Sequence, residues 1–341
     1  MISLRQLAKS QGVSVATVSK ALRDNPEVKP STREAIKEAA RRHGYFSNHL
    51  VQGVFKGRTP LIAIIQRQVG ATDQARMLTA VTDRFLEAGY ASIVLGTRSD
   101  LAREEKCFEA AIGFRVSGVV LATIDYGEEV EHYRHLVENR VPCVVTSEFA
   151  PESVVSKVHT NDEQVVSEVI DRLWDWGHRK IGFVGLKADT LPTRRRFQGY
   201  IDGLRQHGIE PQESWIATTP GMPDAMVEAA DRLLEAHPDI TAIFGATDRF
   251  AAAVIKAGRR RGRRIGEDLS VFGMGNLPMG NLLDPELTTI SHNENMFAEA
   301  LTSLLLDSIR TQRAHPHKPL PTEDRVVPGE VIWRRSTGPL H

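Results

Sequence analysis

The chain has 341 residues, 41% apolar and 25% charged, with 6% aromatic residues and a formal net charge of zero. That length exceeds one ordinary core and suits a small domain beside a large two-lobed one. No apolar run reaches the roughly eighteen residues of a membrane helix, and the first ten residues are amphipathic rather than a signal-peptide core, so a cytoplasmic location without membrane contact is expected. Cys107 and Cys143 lie far apart and form no C-x-x-C pair, which speaks against a disulfide scaffold. Among the 12 histidines no H-E-x-x-H spacing occurs, and His315 and His317 merely flank Pro316, so neither metal nor cofactor is expected.

The zero net charge hides an asymmetry. Residues 1–60 hold eleven Lys/Arg against four Asp/Glu, a surplus of seven positive charges, and the remainder carries the opposite surplus. A basic small end on an acidic body suits a partner made of phosphates, although basic faces are often only solvated.

In chain order, Ser3 can cap a first helix running to about Ser10, with Gly12 just past its end. Ser14 caps a second helix from Val15 to about Leu22, and the tight turn between the two is the helix-turn-helix spacing. After Asn25-Pro26 the run Ser31-Thr32-Arg33-Glu34 reads as a capping box opening a third helix that ends near His43-Gly44. In such a unit the second helix enters the major groove by its N-terminal end. Val15 and Ala16 offer methyl groups to thymine, and Lys20 can donate to guanine O6 or N7. Thr17 and Ser19 carry short hydroxyls suited to phosphate oxygens. The competing possibility is a small three-helix domain that binds protein.

The residues Leu4 to Ala8, the run G-V-S-V-A-T-V-S-K-A-L over 12–22, then Val28, Thr32-Arg33, Gly44-Tyr45 and Asn48 closely resemble the headpiece of the LacI/GalR (lactose-repressor) family. The resemblance implies that Val15, Ala16 and Lys20 select operator bases while Thr17, Ser19, Tyr45 and Asn48 hold the DNA backbone. It also implies a domain plan: a headpiece over 1–46, a hinge helix and linker over 47–59, and an effector-binding and dimerisation domain over 60–341. The family's hinge helix folds on the operator and wedges the minor groove open; here Val51, Val54 and Phe55 fall at or beside the wedge. Where the family usually reads Ala-Arg-x-Leu, this chain reads Val51-Gln52-Gly53-Val54, so valine replaces the leucine wedge and Phe55 stands ready beside it. Two β-branched residues and a glycine weaken this helix, the glycine by about 1 kcal/mol against alanine, and a segment below about 12 residues is marginal alone. It is therefore expected to order only on DNA. A plain linker is the alternative.

From residue 61 onward, short apolar runs at 61–65, 92–95, 118–121 and 143–146 predict strands of a sheet covered on both faces. Helical patterns fall between them at about 74–88, 100–114 and 128–139. The series restarts with a helix at about 163–176, strands at 181–184, 215–217, 242–244 and 269–272, and helices at about 194–207, 222–236 and 248–261. Two successive β/α runs predict two doubly wound lobes, with ligand in the cleft at the C-terminal ends of the strands. Arg115-Val-Ser-Gly-Val119, Gly177-His-Arg-Lys-Ile181, Gly266-Glu-Asp-Leu-Ser-Val-Phe-Gly273 and Asp284-Pro-Glu-Leu-Thr-Thr289 extend the family resemblance through this α/β region. By that resemblance the chain is periplasmic-binding-protein-like and crosses between lobes near 160, 290 and 320, with lobe one at about 60–159 and 290–319 and lobe two at about 160–289 and 320–341. The helix from about 294 to 309 returns to lobe one. The tail after Arg335 carries no heptads, and a homodimer on a palindromic operator is expected.

In the cleft, Arg196 matches the family arginine that reaches the ligand, with a structural ion pair as its alternative. Ser147 and Thr190 match polar contacts of the first and second lobe. Thr247 stands where asparagine is frequent, and Gly275 stands where many members carry a carboxylate. The crossover Asp-Asn pair is reversed as Asn161-Asp162. These departures, with the run Arg194-Arg195-Arg196 and with Arg67 after the first strand, suggest a sugar-like effector that bears an acid group, such as a sugar acid or sugar phosphate, because guanidinium matches carboxylate and phosphate in bidentate fashion. The implied function is a non-enzymatic, effector-controlled, sequence-specific regulator, most simply a repressor of double-stranded DNA operators. A regulator whose lobes answer to a partner protein is the alternative. A transport protein would lack the headpiece, and an enzyme would need a P-loop, a nucleophile elbow or a metal set that the chain does not carry.

Overall fold

The computed structural model describes residues 2–22, 24–45, 57–67, 72–98, 100–122, 135–136, 138–146, 155–187 and 191–340. They form two compact units, Met1–Thr59 and Pro60–His341. The expected minor-groove residues Val51, Val54 and Phe55, the backbone contact Asn48, the cleft residues Ser147 and Thr190, and most of the expected helix at 128–139 lie outside the described residues.

In the small unit, α1 spans Leu4–Ser10 and starts at a complete capping box: Gln6 N–H donates to Ser3 Oγ at 3.3 Å while Ser3 N–H donates to Gln6 Oε1 at 2.7 Å. Gly12, at φ +64°, turns the chain in a left-handed conformation that a Cβ would oppose. Ser14 then caps α2, Val15–Ala21, by accepting from Thr17 N–H at 3.0 Å. The third helix, α3, differs from expectation. It runs Pro30–Arg42 with Lys29 at the N-cap and no side-chain cap bond, so Ser31 lies inside the first turn instead of opening it. Proline at the first helical position explains the shift, since its missing N–H has no partner there and its ring presets a helical φ. Leu7, Val18, Ala21, Val28 and Ile36 form the shared core of the three helices.

The large unit contains two sheets. The first is ordered β11-β5-β4-β3-β1-β2 and the second β12-β10-β9-β8-β6-β7. The strands of the first are β1 (Leu61–Gln66), β2 (Ala91–Gly96), β3 (Gly118–Ala122), β4 (Cys143–Val145), β5 (Ser156–Thr160) and β11 (Asp324–Val327), all parallel. Those of the second are β6 (Ile181–Leu186), β7 (Ile216–Thr219), β8 (Ala242–Gly245), β9 (Ser270–Met274), β10 (Thr288–Ser291) and β12 (Glu330–Ile332), with only β12 antiparallel. Strand β1 shows why both faces are covered. Ile62 and Ile64 point into one core with Val81, Phe85 and Leu301, whereas Ala63 and Ile65 point into the other with Phe108, Ala111 and Leu136. A run of apolar residues without polar alternation is the signature of such a strand.

The helices are α4 (Thr72–Glu87), α5 (Leu101–Gly113), α6 (Asp162–Asp175), α7 (Leu191–Gln206), α8 (Pro223–Ala236), α9 (Asp248–Arg260) and α10 (Glu294–Ala314). The last packs through Phe297, Leu301 and Leu305 onto the first sheet, as expected for a helix returning to lobe one. Helices α6 and α7 approach so closely that a Cβ on Gly199 would lie 2.4 Å from the Glu163 carbonyl oxygen.

The chain crosses between sheets after Thr160, after Ser291 and again between Val327 and Glu330. The third crossing thus comes later than the position near 320, because Asp324–Val327 pairs in parallel with β5 before the chain leaves lobe one. The expected strand at 215–217 also shifts: Glu213–Trp215 forms a 3-10 turn with Trp215 buried, and the strand begins at Ile216. No described helix is long and apolar enough to cross a membrane.

Candidate functional site

Helix α2 carries its polar and small residues outward. Val15 and Ala16 are exposed, the former at 39%, while Val18 and Ala21 face the core. An exposed valine at a helix start is costly to hydrate and suits contact with a methyl-bearing surface. Thr17 is partly exposed and its hydroxyl lies 2.8 Å from Ser14 Oγ; Ser19 is also partly exposed. Tyr45 packs part of its ring against the headpiece core and donates its N–H to the Ala40 carbonyl at 2.8 Å. Lys20, in the last turn of α2, is paired with the Glu27 carboxylate, and its hydrogen bond holds that carboxyl below its ordinary pKa. No sequence pattern singles out Glu27.

The large unit holds a cavity of about 690 Å³ lined from both sheets. Its polar rim is built at strand C-termini: Gln66 ends β1 and Arg67 follows it, Thr146 follows β4, Thr160 ends β5, Thr247 follows β8, and Gly275 follows β9. Arg67, Arg196, Thr247 and Gly275 all line this cavity. Its apolar wall comes from Ile64, Leu78, Val81, Phe297 and Leu301 of the first lobe and Met226 and Phe250 of the second. Of the three consecutive arginines, Arg194 is exposed, and Arg195 and Arg196 line the cavity.

Arg196 makes the ion pair that stood as its alternative and lines the cavity as well. Its Nε lies 3.3 Å from Asp162 Oδ2, and its Nη1 donates to the Ala246 carbonyl at 3.0 Å. Asp162, 4% exposed, also accepts from Thr160 Oγ1 at 2.6 Å and has His292 Nε2 3.2 Å from Oδ1. Burial opposes its ionisation, but His292, Arg196 and Thr160 outweigh burial and hold the carboxyl below its ordinary value. The reversed pair Asn161-Asp162 is therefore no simple loss. Asn161 Oδ1 accepts from Gly329 N–H at 2.7 Å, tying the first crossing to the third, and Asp162 delivers a carboxylate to the cavity wall.

A second carboxylate missed in the sequence, Asp248, is fully buried and committed internally. It accepts from Leu277 N–H at 2.6 Å and from the Thr289 hydroxyl at 2.5 Å, and burial raises its pKa despite those two bonds. His292 carried no sequence signal at all, since its meaning arises only when the second crossing brings it to Asp162.

Two family models match the chain. "Bacterial regulatory proteins, lacI family" covers residues 3–48, and "Periplasmic binding protein-like domain" covers 170–337. The chain is 27% identical to the HTH-type transcriptional repressor CytR of Escherichia coli (strain K12), over 99% of this chain and 97% of that protein. A solved complex of the transcriptional regulator CelR with cellobiose is 26% identical, with a TM-score of 0.70 over 98% of this chain and all of that one. The lac repressor dimer bound to operator and the anti-inducer ONPF shares the fold, with a TM-score of 0.84 at 20% identity over 98% and 99% of the two chains. With a capped helix-turn-helix unit whose second helix exposes Val15 and Ala16, and a two-sheet unit whose cavity lies at strand C-termini, this chain joins a lacI-family DNA-binding headpiece to a periplasmic-binding-protein-like domain, the plan of a DNA-binding transcriptional regulator.

Proposed function

We propose that the chain is a dimeric repressor that binds a palindromic operator in the cytoplasm and is released or engaged by a small molecule in the interlobe cavity, with no catalytic step of its own. Val15, Ala16 and Lys20 read bases, and Thr17, Ser19, Tyr45 and Asn48 hold the sugar-phosphate backbone. The segment carrying Val51, Val54 and Phe55 enters the minor groove. Support for the groove-reading role comes above all from the exposed start of α2, where two apolar side chains face outward beside hydroxyls and a lysine. Support for a dimer comes from Leu86, Leu101 and Phe114 of lobe one, exposed at 67%, 49% and 48%.

The effector is sugar-like and carries an acidic group. Arg67, Arg196 and Arg249 line the cavity, and Thr247 and Gly275 leave room beside them; the family resemblance adds Ser147 and Thr190 as further polar contacts. The solved complexes of CelR with cellobiose and of the lac repressor with ONPF make a glycoside-sized occupant reasonable. An effector that binds the two lobe arrangements unequally shifts their populations and with them the spacing of the paired hinge segments.

The test has two stages. Selection from random duplexes with the purified full-length chain should yield a palindrome with half-sites about one helical turn apart. Calorimetry against neutral sugars, sugar acids and sugar phosphates should then show binding by an acidic member and a change in operator affinity. Tight binding of a neutral sugar alone would remove the acidic class. Failure of every duplex to be preferred, with and without cell metabolites, would remove the DNA reading, and a response only to a co-purifying protein would replace the effector with a partner.

A further inference from the structure

The loop between α2 and α3 is locked onto the helix it follows. Asn25 N–H donates to the carbonyl of Lys20 itself at 3.0 Å, and Asp24 N–H donates to that of Ala21 at 3.1 Å. Asn25 Oδ1 accepts from Glu27 N–H at 2.9 Å, and Val28, 6% exposed, anchors the loop in the headpiece core. On the other side Asp24 Oδ1 binds Lys37 Nζ at 2.6 Å. Glu27 is thereby presented to Lys20 from a backbone held at several points, and the two side chains pair.

A lysine ammonium has three donors and a long stem with several rotatable bonds. Reading guanine at O6 and N7 uses two donors. The third, and the stem's freedom, are what Glu27 takes up. We propose that Glu27 is a positioning residue for base recognition, which holds the Lys20 ammonium so that its two remaining donors meet one base edge. This rests on the placement of Lys20 at a base edge proposed above. A carboxylate near DNA also repels phosphates, so Glu27 lowers affinity for every duplex while sharpening the choice among them.

The two contributions separate in the full-length protein, measured against the selected operator and against duplexes altered at one base pair per half-site. Glu27→Gln and Glu27→Ala remove the same charge and should raise affinity for unrelated duplex by the same factor. Discrimination at the Lys20-dependent base pair should fall in order, about twofold for Glu27→Gln, whose amide oxygen still accepts, and roughly fivefold for Glu27→Ala. Lys20→Ala combined with Glu27→Ala should discriminate no worse than Lys20→Ala alone. If both Glu27 variants tighten matched and mismatched duplexes equally, Glu27 is only a surface charge and the proposal is overturned. If Lys20→Ala itself leaves discrimination intact at every position, the base-edge placement of Lys20 has failed, and the role of Glu27 falls with it.

Discussion

Single side chains in this molecule do two kinds of work, and substitution separates them. Arg196 both neutralises Asp162 and faces the cavity, with side chains 15% and 5% exposed. Removing the guanidinium leaves a buried carboxylate with less compensation, a change that costs about 3 kcal/mol in comparable pairs. Arg196→Ala should therefore lower stability by that order and abolish the effector response. Arg196→Ala with Asp162→Asn should recover much of the stability in chemical denaturation without recovering the response in calorimetry. Recovery of both would reduce Arg196 to a structural ion pair.

Glu104 offers a cleaner case. It is 2% exposed, its Oε2 finds no hydrogen-bond partner, and burial pushes its carboxyl up to about 7 from 4.5. A carboxyl with a raised folded-state value stays protonated in the fold while the unfolded chain releases its proton. Stability should therefore fall as pH rises from about 4.5 to about 7 and then level off, by about 3 kcal/mol in total. Denaturation curves for Glu104→Gln should lack this fall, so the variant gains over the parent chain at pH 8 and not at pH 4. An equal effect at both pH values would assign Glu104 no titration in this range.

Between elements, the crossing of α6 and α7 brings Arg196 to Asp162 at the cavity wall. Asp162 begins one helix and Arg196 lies on the other, and the missing side chain of Gly199 lets them approach. Gly199→Ala would drive a methyl to 2.4 Å from the Glu163 carbonyl oxygen, so the helices must part. The expected cost is 1–3 kcal/mol, roughly that of overpacking a core, together with weaker effector binding even though no ligand contact is altered. Thermal denaturation and calorimetry on the same variant check both halves. Within the headpiece, α1 and α2 were legible because their capping serines and Gly12 act within a few residues of the helices they punctuate. The start of α3 was misplaced because two local signals competed, the Ser31 capping box and Pro30, and proline needs no partner for a missing donor.

At the level of the whole molecule, DNA affinity and effector binding should be coupled through assembly. Binding that neutralises several phosphates per dimer should weaken by roughly a thousandfold or more between about 50 and 200 mM salt. Sedimentation at low micromolar concentration should give a dimer, and titration of a full palindrome should give one dimer per duplex. A monomer that binds half-sites with a shallow salt slope would contradict the dimeric plan. Effector at a hundred times its dissociation constant should stabilise the large unit by about 2.7 kcal/mol.

Taken alone, the sequence settled what short-range physics controls: the two serine-capped helices α1 and α2, the doubly covered strands such as Leu61–Gln66, and the succession of β/α units that makes two lobes. Family resemblance assigns Arg196, Thr247 and Gly275 to the cleft, and Arg67 is added from its place after the first strand; all four line one cavity. Tertiary structure alone decided the rest. Strands β5 and β10 are rich in polar residues and β11 and β12 are only three or four residues long, so no local pattern marks them, and the pairing of the last two places the third crossing at 328–329. The meeting of Asp162, Arg196 and His292, and the lock of Glu27 on Lys20, depend on which segments the fold brings together. Periodicity and caps act over a few residues, whereas an ion pair or a sheet edge is made by residues far apart in the chain.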